Sequence, residues 1–386
     1  MIDFDLKGKV VVTCKDRFAP YLEKELLELG FRPRHVSRTH IELYASLNDC
    51  IDLNLHLRTA SHVLYEIKSF YLHKADDIYR RVKSLPWEDF IDVDTYFSVV
   101  SHVENDTVNN PLFVNVKIKD AVVDRFREKF GRRPDTGADF NGAVFQLYWK
   151  DTQANLYVNT SGETLAKHGY RKIPGHAPML EALASATIYA SEWDKNSPFI
   201  NPMCGSGTLA IEAALMATGR FPGLFRDHYA FMYIKGYDEE VYEKIRRKME
   251  NKITLNPNLK IIASDISEQA VLFAKENAGI AGVEELIDFE VCDFEETNVP
   301  PNENGVVFFN PEYGERLGEE GDLGETYKRM GDFLKQKCSG YSGYIFTGNM
   351  ALAKRVGLRT SRRIEFYNGT IDCRLLKYEL FKGKKE

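Results

Sequence analysis

The sequence predicts an α/β protein whose C-terminal half is a doubly wound, largely parallel sheet and whose N-terminal half is a mixed α+β region. Three observations carry this. From Ser197 onward short apolar runs alternate with helical periodicity, the pattern of a parallel sheet covered by helices. The first of those runs, "PFIN", passes through a glycine turn, "PMCGSGT", directly into the apolar helix "LAIEAALMA". Before residue 162, strands and helices follow one another without that regular alternation and include a hairpin.

In chain order, "KVVVTC" reads as a strand, and "FAPYLEKELLELGF" as an amphipathic helix with Gly30 as its C-cap. "RHVSRTHIELYASL" returns as strands, and "NDCIDLNLHLRTASHVLYEI" as a helix entering a strand; residues 1–60 form a first domain. Over 61–162, "HKADDIYRRVKSL" is a helix, "TYFSVVSHV" a strand and 116–130 a basic helix. "GAVFQLYWKDTQANLYVNTSG" is a hairpin turning near Lys150 and Asp151. "AKHGYRKIPGHAP", with two Gly and two Pro, marks a linker over 163–178. The last domain, 179–386, opens on the helix "MLEALASATIYASEW". Its strands are "PFIN", "KIIASD", "IDFEVCD", "GVVFFN", "GYIFTGN" and the closing pair "RRIEFYNG" and "CRLLKYELF".

Composition bounds the function. No apolar run approaches the roughly 20 residues that span a bilayer, and "MIDFDLKGKVVV" lacks a signal-peptide pattern, so a cytoplasmic protein is expected. The six Cys show no C-x-x-C spacing and the nine His are dispersed, so no metal site and no disulfide framework is expected. Net charge is −6, carried wholly by the second part: residues 1–175 hold 25 basic against 25 acidic side chains, the rest 26 against 32. "VKIKDAVVDRFREKFGRR" is the densest basic segment, with Lys117, Lys119, Arg125, Arg132 and Arg133. It reads equally as a phosphate-contacting face or as a solvated amphipathic helix with Ala121, Val122, Val123 and Phe126 on its core side.

Two motifs carry chemistry. In "NPMCGSGT", Gly205 and Gly207 permit a tight turn and close approach of a ligand to the backbone; no Lys follows, so it is not a Walker loop. The next strand ends in Asp265 and the one after in Asp293, acids suited to ribose hydroxyls and to an adenine amino group, which together with the turn describe a nucleoside-cofactor site. The long gap between Gly207 and Asp265 is filled by an insertion, "GRFPGLFRDHYAFMYIKGYDEEVYEKIRRKMENK". The fourth strand ends in "NPEY", Asn310 to Tyr313. An exocyclic base amine is a weak nucleophile because its lone pair is delocalised. The Asn310 side-chain oxygen and the Pro311 carbonyl can accept its two N–H groups and localise that pair, while Tyr313 stacks on an extruded base.

"NPMCGSGTLAIEAA" joined to "NPEYGERLG" resembles the THUMP-containing, S-adenosylmethionine-dependent RNA guanine-N2 methyltransferases, nearest the RlmL type acting on bacterial 23S rRNA. The likeness covers nearly the whole chain, including "LYVNTSGETLAKHGYR", "ATGRFPGLFRDHYAF" and "YNGTIDC". It implies a Rossmann-like methyltransferase domain preceded by an α+β ferredoxin-like/THUMP RNA-binding region. S-adenosylmethionine would then lie on Asn201, Pro202, Cys204, Gly205, Gly207, Thr208, Asp265, Ile266, Asp293, Phe294 and Asn310. Asn310, Pro311 and Tyr313 would hold the guanine amine. RNA, either 23S rRNA or a large-subunit assembly intermediate, would meet Lys117, Lys119, Arg125, Arg132, Arg133, His168, Arg171 and Lys172. Two departures stand out: Glu312 occupies the place of a second Pro, where it could pair with Arg316, and Leu180 the place of a Lys.

Rival readings differ in class. Cysteine-based C5 methylation needs a thiol beside the target, and the tetrad has none; Cys204 reads as packing. DNA adenine-N6 methylation uses the same amine logic. A chain that binds rRNA as an assembly factor with weak catalysis is the non-enzymatic alternative.

Overall fold

The computed structural model describes residues 2–106, 108, 110–173, 178–301, 304–313 and 320–381. The chain forms two compact units, each assembled from separate stretches. The first takes Met1–Lys15, Leu22–Leu165 and Arg226–Asn251; the second takes Asp16–Tyr21, Ala166–Phe225 and Lys252–Glu386.

The first unit is built on one mixed sheet of β1 (Gly8–Cys14), β2 (His35–Val36), β3 (His40–Ala45), β4 (Ala60–Tyr71), β5 (Phe97–Glu104), β6 (Thr136–Gly137), β7 (Ala143–Lys150) and β8 (Gln153–Asn159). Their spatial order is β2-β3-β1-β4-β8-β7-β5-β6. The long strand β4 pairs with β1 on one side and β8 on the other, so the two expected N-terminal domains share a continuous sheet. With the sheet go helices α1 (Ala19–Glu28, from Leu22 onward), α2 (Leu47–His56), α3 (Ala75–Lys83), α4 (Pro111–Phe130) and, later in the chain, α7 (Glu239–Glu250). Sequence rules set their ends. Ser46 and Asp49 form a reciprocal capping box on α2. Asn110 caps α4, Pro111 occupies its first turn, and Gly131 ends it at φ 68°. The helix therefore starts five residues before its expected start at 116. Val114, Ile118, Ala121, Val122 and Phe126 bury its apolar face, which is the amphipathic reading of the basic segment. The β7–β8 hairpin turns where expected, with Asp151 at φ 50°.

The second unit is a seven-stranded sheet of β9 (Phe199–Pro202), β10 (Ile261–Asp265), β11 (Ile287–Val291), β12 (Val306–Phe309), β13 (Ser342–Thr347), β14 (Arg362–Asn368) and β15 (Ile371–Glu379). The order is β11-β10-β9-β12-β13-β15-β14, parallel through β13 and antiparallel at β15 and β14. Helices α5 (Glu181–Ser191), α6 (Thr208–Thr218), α8 (Glu268–Ile280), α9 (Glu320–Lys337) and α10 (Met350–Arg355) accompany it. All residues of β9 and β12 are buried, which is why they read as continuous apolar runs rather than as alternation. Ile200, Val307, Phe309, Phe294 and Phe333 share one core cluster.

Two expectations need correction. Over its described part, the segment expected as a linker over 163–178 is packed: Tyr170 and His168 are buried, and a side chain on Gly169 would collide with the Phe225 carbonyl. The insertion does not stay with the sheet that precedes it. Arg226–Asn251 returns to the first unit, where the Phe231 amide bonds the Thr160 carbonyl at 3.0 Å and Tyr229, Ala230 and Phe231 are buried. Among the described residues no helix is long and apolar enough to cross a membrane, and no cluster of three metal-ligating side chains is found.

Candidate active site

Strand order reverses between β9 and β12, and in open α/β sheets ligands lie outside the carboxyl ends of strands at such a switch point. Strands β9 to β12 are mutually parallel, so all four tips share one edge. The glycine turn and Asn310 follow directly on β9 and β12, Asp265 is the last residue of β10, and Asp293 lies two residues past the end of β11.

The turn after β9 is wound tightly. Met203, Gly205 and Gly207 all have positive φ, and the Gly207 amide bonds the Cys204 carbonyl at 2.9 Å. The two glycines do different work. A Cβ on Gly207 would sit 2.8 Å from the Ala274 methyl of α8, so Gly207 allows two elements to pack closely. A Cβ on Gly205 would meet nothing within 4 Å among the described residues, so that backbone is open on that side to a ligand. Asp265 braces the turn: one carboxylate oxygen accepts from the Gly205 amide at 2.9 Å and the other from the Ser267 amide at 3.0 Å, at the start of α8. Asn201 ties β9 to β12 by donating to the Phe308 carbonyl at 2.9 Å, and its buried Oδ1 has no partner among the described residues. Open space over Gly205, an unsatisfied buried acceptor and two carboxylates at adjacent tips fit a nucleoside cofactor.

Other expected contacts fall differently. Ile266 is 74% exposed beside Asp265. The Phe294 ring is in the core, edge-on to Phe309 and Phe333, leaving only its main chain for a ligand. Cys204 and Thr208 are buried, and burial pushes the Cys204 thiol well up, which suits packing and not nucleophilic attack. Asp293 Oδ1 accepts from the Glu295 amide at 3.0 Å and Oδ2 from Arg329 at 2.8 Å; Arg329 also grips Glu295 at 2.6 Å. Burial opposes ionisation of Asp293, but these bonds outweigh it and hold the carboxyl below its ordinary value.

After β12, Asn310 is half-buried, Pro311 buried and Glu312 exposed. Tyr313 is held at both ends: its hydroxyl accepts from Asn368 at 2.7 Å and its carbonyl from Asn349 at 3.4 Å. The Glu312 carbonyl accepts from the buried Tyr327 hydroxyl at 3.3 Å. The expected Arg316 partner of Glu312 lies outside the described residues. Arg329, Tyr327, Asn349 and Asn368 carry no spacing signal toward the motifs; they were not expected at the site.

The expected RNA contacts divide. His168 is interior, 2.7 Å from Glu212, whose other oxygen accepts from Ser185 at 2.7 Å; it faces no RNA. Arg171 is likewise turned inward, to the Met179 carbonyl, Glu181 and Thr208 at the start of α6. Lys172 is exposed, and Leu180 occupies the N-cap position of α5, where its side chain forms no capping bond. In the first unit Arg125 forms a two-pronged pair with Glu88, 2.7 Å on each arm, and Lys119 bonds the Gly137 carbonyl. Lys117 lies 3.8 Å from Asp76, Arg132 pairs with Asp94, and Arg133 is exposed.

A doubly wound sheet with a glycine turn and two acids at successive tips, and an Asn-Pro pair on the tip beyond the switch point, defines a methyltransferase of the Rossmann-like class. Residues 168–377 match the RMKL-like methyltransferase domain, residues 73–158 a THUMP domain and residues 9–64 the RlmL ferredoxin-like domain, and the chain belongs to this RMKL-like methyltransferase family. It is 35% identical over 372 residues to the ribosomal RNA large subunit methyltransferase K/L of Psychromonas ingrahamii, covering 94% of this chain and 49% of that protein. The chain thus spans about half the length of the K/L relatives it matches. It is 32% identical to the putative RNA methyltransferase slr0064 of Synechocystis, with 85% of each chain covered. The crystal structure of SMU.472, a putative methyltransferase complexed with SAH, superposes with a TM-score of 0.88 at 25% identity, covering 98% of this chain and 99% of that one.

Proposed function

We propose that the chain transfers a methyl group from S-adenosylmethionine to the exocyclic N2 amine of a guanine in RNA, with large-subunit 23S rRNA or its assembly intermediate as the substrate. The observation that carries the reading is the Asn310–Pro311 pair on the strand tip directly across the switch point from the Gly205 turn. Family membership supplies the reaction class, the THUMP match and the RNA-methyltransferase names of the relatives support RNA, and the SAH-bound neighbour supports the cofactor.

When bound, S-adenosylmethionine supplies a methyl on an electrophilic sulfonium. The Gly205 backbone gives it room, Asp265 and Asp293 accept from its hydroxyl and amino groups, and Asn201 Oδ1 offers a further acceptor. Asn310 Oδ1 and the Pro311 carbonyl take the two N–H groups of the guanine amine. This would aim its lone pair and stabilise the positive charge that grows on nitrogen as the methyl–nitrogen bond forms and the sulfur–methyl bond breaks, S-adenosylhomocysteine leaving and the surplus amine proton passing to solvent. Tyr313 packs on the extruded base.

The test is incubation of the chain with labelled S-adenosylmethionine and deproteinised large-subunit rRNA, tRNA or DNA, followed by nuclease digestion and mass spectrometry. N2-methylguanosine from the rRNA is the expected product. Methylated adenine in DNA, or cofactor binding with no transfer to any nucleic acid, would replace this reading with one of its two rivals.

A further inference from the structure

The acceptor turn carries a residue with a free φ between Pro311 and Tyr313, where a proline would lock the backbone from within. The structure holds that residue from outside. The Asn349 amide lies 3.1 Å from Thr347 Oγ1, the Thr347 and Tyr327 hydroxyls are 2.8 Å apart, and Tyr327 lies 3.3 Å from the Glu312 carbonyl. The directions are forced. A carbonyl only accepts, so Tyr327 gives it its single proton and must accept from Thr347, which accepts in turn from Asn349. Each hydroxyl donates once and accepts once, and such chains strengthen one another. Tyr327 and Thr347 are both 0% exposed, so water does not compete.

A second hold runs through the Asn349 side chain. Its Oδ1 accepts from the Ala351 and Leu352 amides at the start of α10, which leaves Nδ2 for the Tyr313 carbonyl. Glu312 itself is exposed, and the relay engages its carbonyl rather than its carboxylate.

We propose that the Asn349–Thr347–Tyr327 relay is the positioning device of the acceptor turn, fixing the backbone of 311–313 so that Asn310 Oδ1 and the Pro311 carbonyl stay aimed at the target amine. This rests on the function proposed above. Tyr327 acts through the turn and touches neither substrate nor cofactor. It explains how a glutamate is tolerated in the tetrad: two buried hydroxyls supply the restraint that a pyrrolidine ring would otherwise give.

Tyr327→Phe removes one oxygen and ends the relay. Three quantities are read: hydrogen exchange of the Glu312 and Tyr313 amides without ligand, affinity for S-adenosylhomocysteine by calorimetry, and kcat and KM on large-subunit rRNA. Exchange should quicken, affinity should stay within about twofold, and kcat should fall roughly 10- to 100-fold, the scale of a displacement near 1 Å in an aligned site. Adding Glu312→Pro to Tyr327→Phe should restore most of kcat and slow exchange of the Tyr313 amide again, residue 312 then having no N–H of its own. Unchanged exchange in Tyr327→Phe, or a double variant as slow as Tyr327→Phe alone, would overturn the proposal. If Tyr327→Phe does not fold, Thr347→Val breaks the relay one bond earlier and is read the same way. If the unaltered chain methylates no nucleic acid, the assigned reaction falls, while the exchange rates still decide whether the relay holds the turn.

Discussion

Asn310 and Asp293 follow β12 and β11, at the same edge of the sheet with the tips of β9 and β10 between them, and are predicted to separate chemistry from binding. Asn310→Ala removes an acceptor that matters most as charge develops on the amine. Methyl transfer should fall by about 100-fold or more, with cofactor affinity by calorimetry falling far less, because Asn310 is one of many expected cofactor contacts. Retained turnover would contradict the pocket. Asp293 is different because Arg329 bonds its Oδ2 at 2.8 Å, orienting the carboxylate and helping to hold it below its ordinary value against the opposing effect of burial. Arg329→Met removes that partner, so the carboxyl titrates at a higher pH. Cofactor affinity should weaken roughly tenfold near neutrality, and its loss on acidification should begin at higher pH than in the parent. Calorimetry from pH 4 to 7 checks both. The glycine turn and the Asn-Pro pair were legible because they depend on local spacing at strand ends. Arg329, Tyr327, Asn349 and Asn368 were not, because each reaches the site by tertiary packing and no periodicity links it to the motif it serves.

At the level of elements, α4 shows why a basic run is ambiguous in sequence. Its apolar face is buried as periodicity predicted, but Arg125 spends its charge on Glu88, whose carboxyl is pulled down to about 2 chiefly by that bond. A depressed carboxyl stabilises the fold above its unfolded value and loses this contribution as pH falls through the folded one. Arg125→Ala should therefore lower stability by about 1 kcal/mol at pH 7. The gap to the parent should close between about pH 4.5 and pH 2, measured by denaturant titration at each pH. Its RNA affinity should change little. Arg133, exposed beyond the helix end, should behave oppositely: Arg133→Ala should leave melting unchanged but weaken RNA binding and lower the salt-dependence slope by about 0.7 to 1. The strands of the second unit were readable in order because burial on both faces writes apolar runs bounded by turns. The sharing of β4 between two expected domains was not, because strand pairing is a long-range fact that a strand's own residues do not encode.

For the molecule as a whole, the strongest departure from the sequence reading is the return of Arg226–Asn251 to the first unit. Its apolar residues are needed there: Tyr229, Phe231 and Tyr242 are 1%, 0% and 4% exposed, and the Lys235 amide bonds the Phe90 carbonyl at 2.7 Å. A chain ending at Leu165 lacks these groups. It should melt at least 10 °C below the same chain with 226–251 joined by a flexible linker, by circular dichroism; equal melting would show the excursion to be dispensable. The polypeptide crosses between its two units five times along its length. On the ribosome, then, neither half can finish in turn. The first has its eight described strands by residue 159 but lacks Arg226–Asn251 until residue 251 has emerged, with β9 and α6 already synthesised and the partner strands of β9 still to come. Translation speed across that middle stretch thereby becomes a determinant of yield, and a slow codon tract placed there would lengthen the interval in which unpaired strands are open to chaperones or to one another.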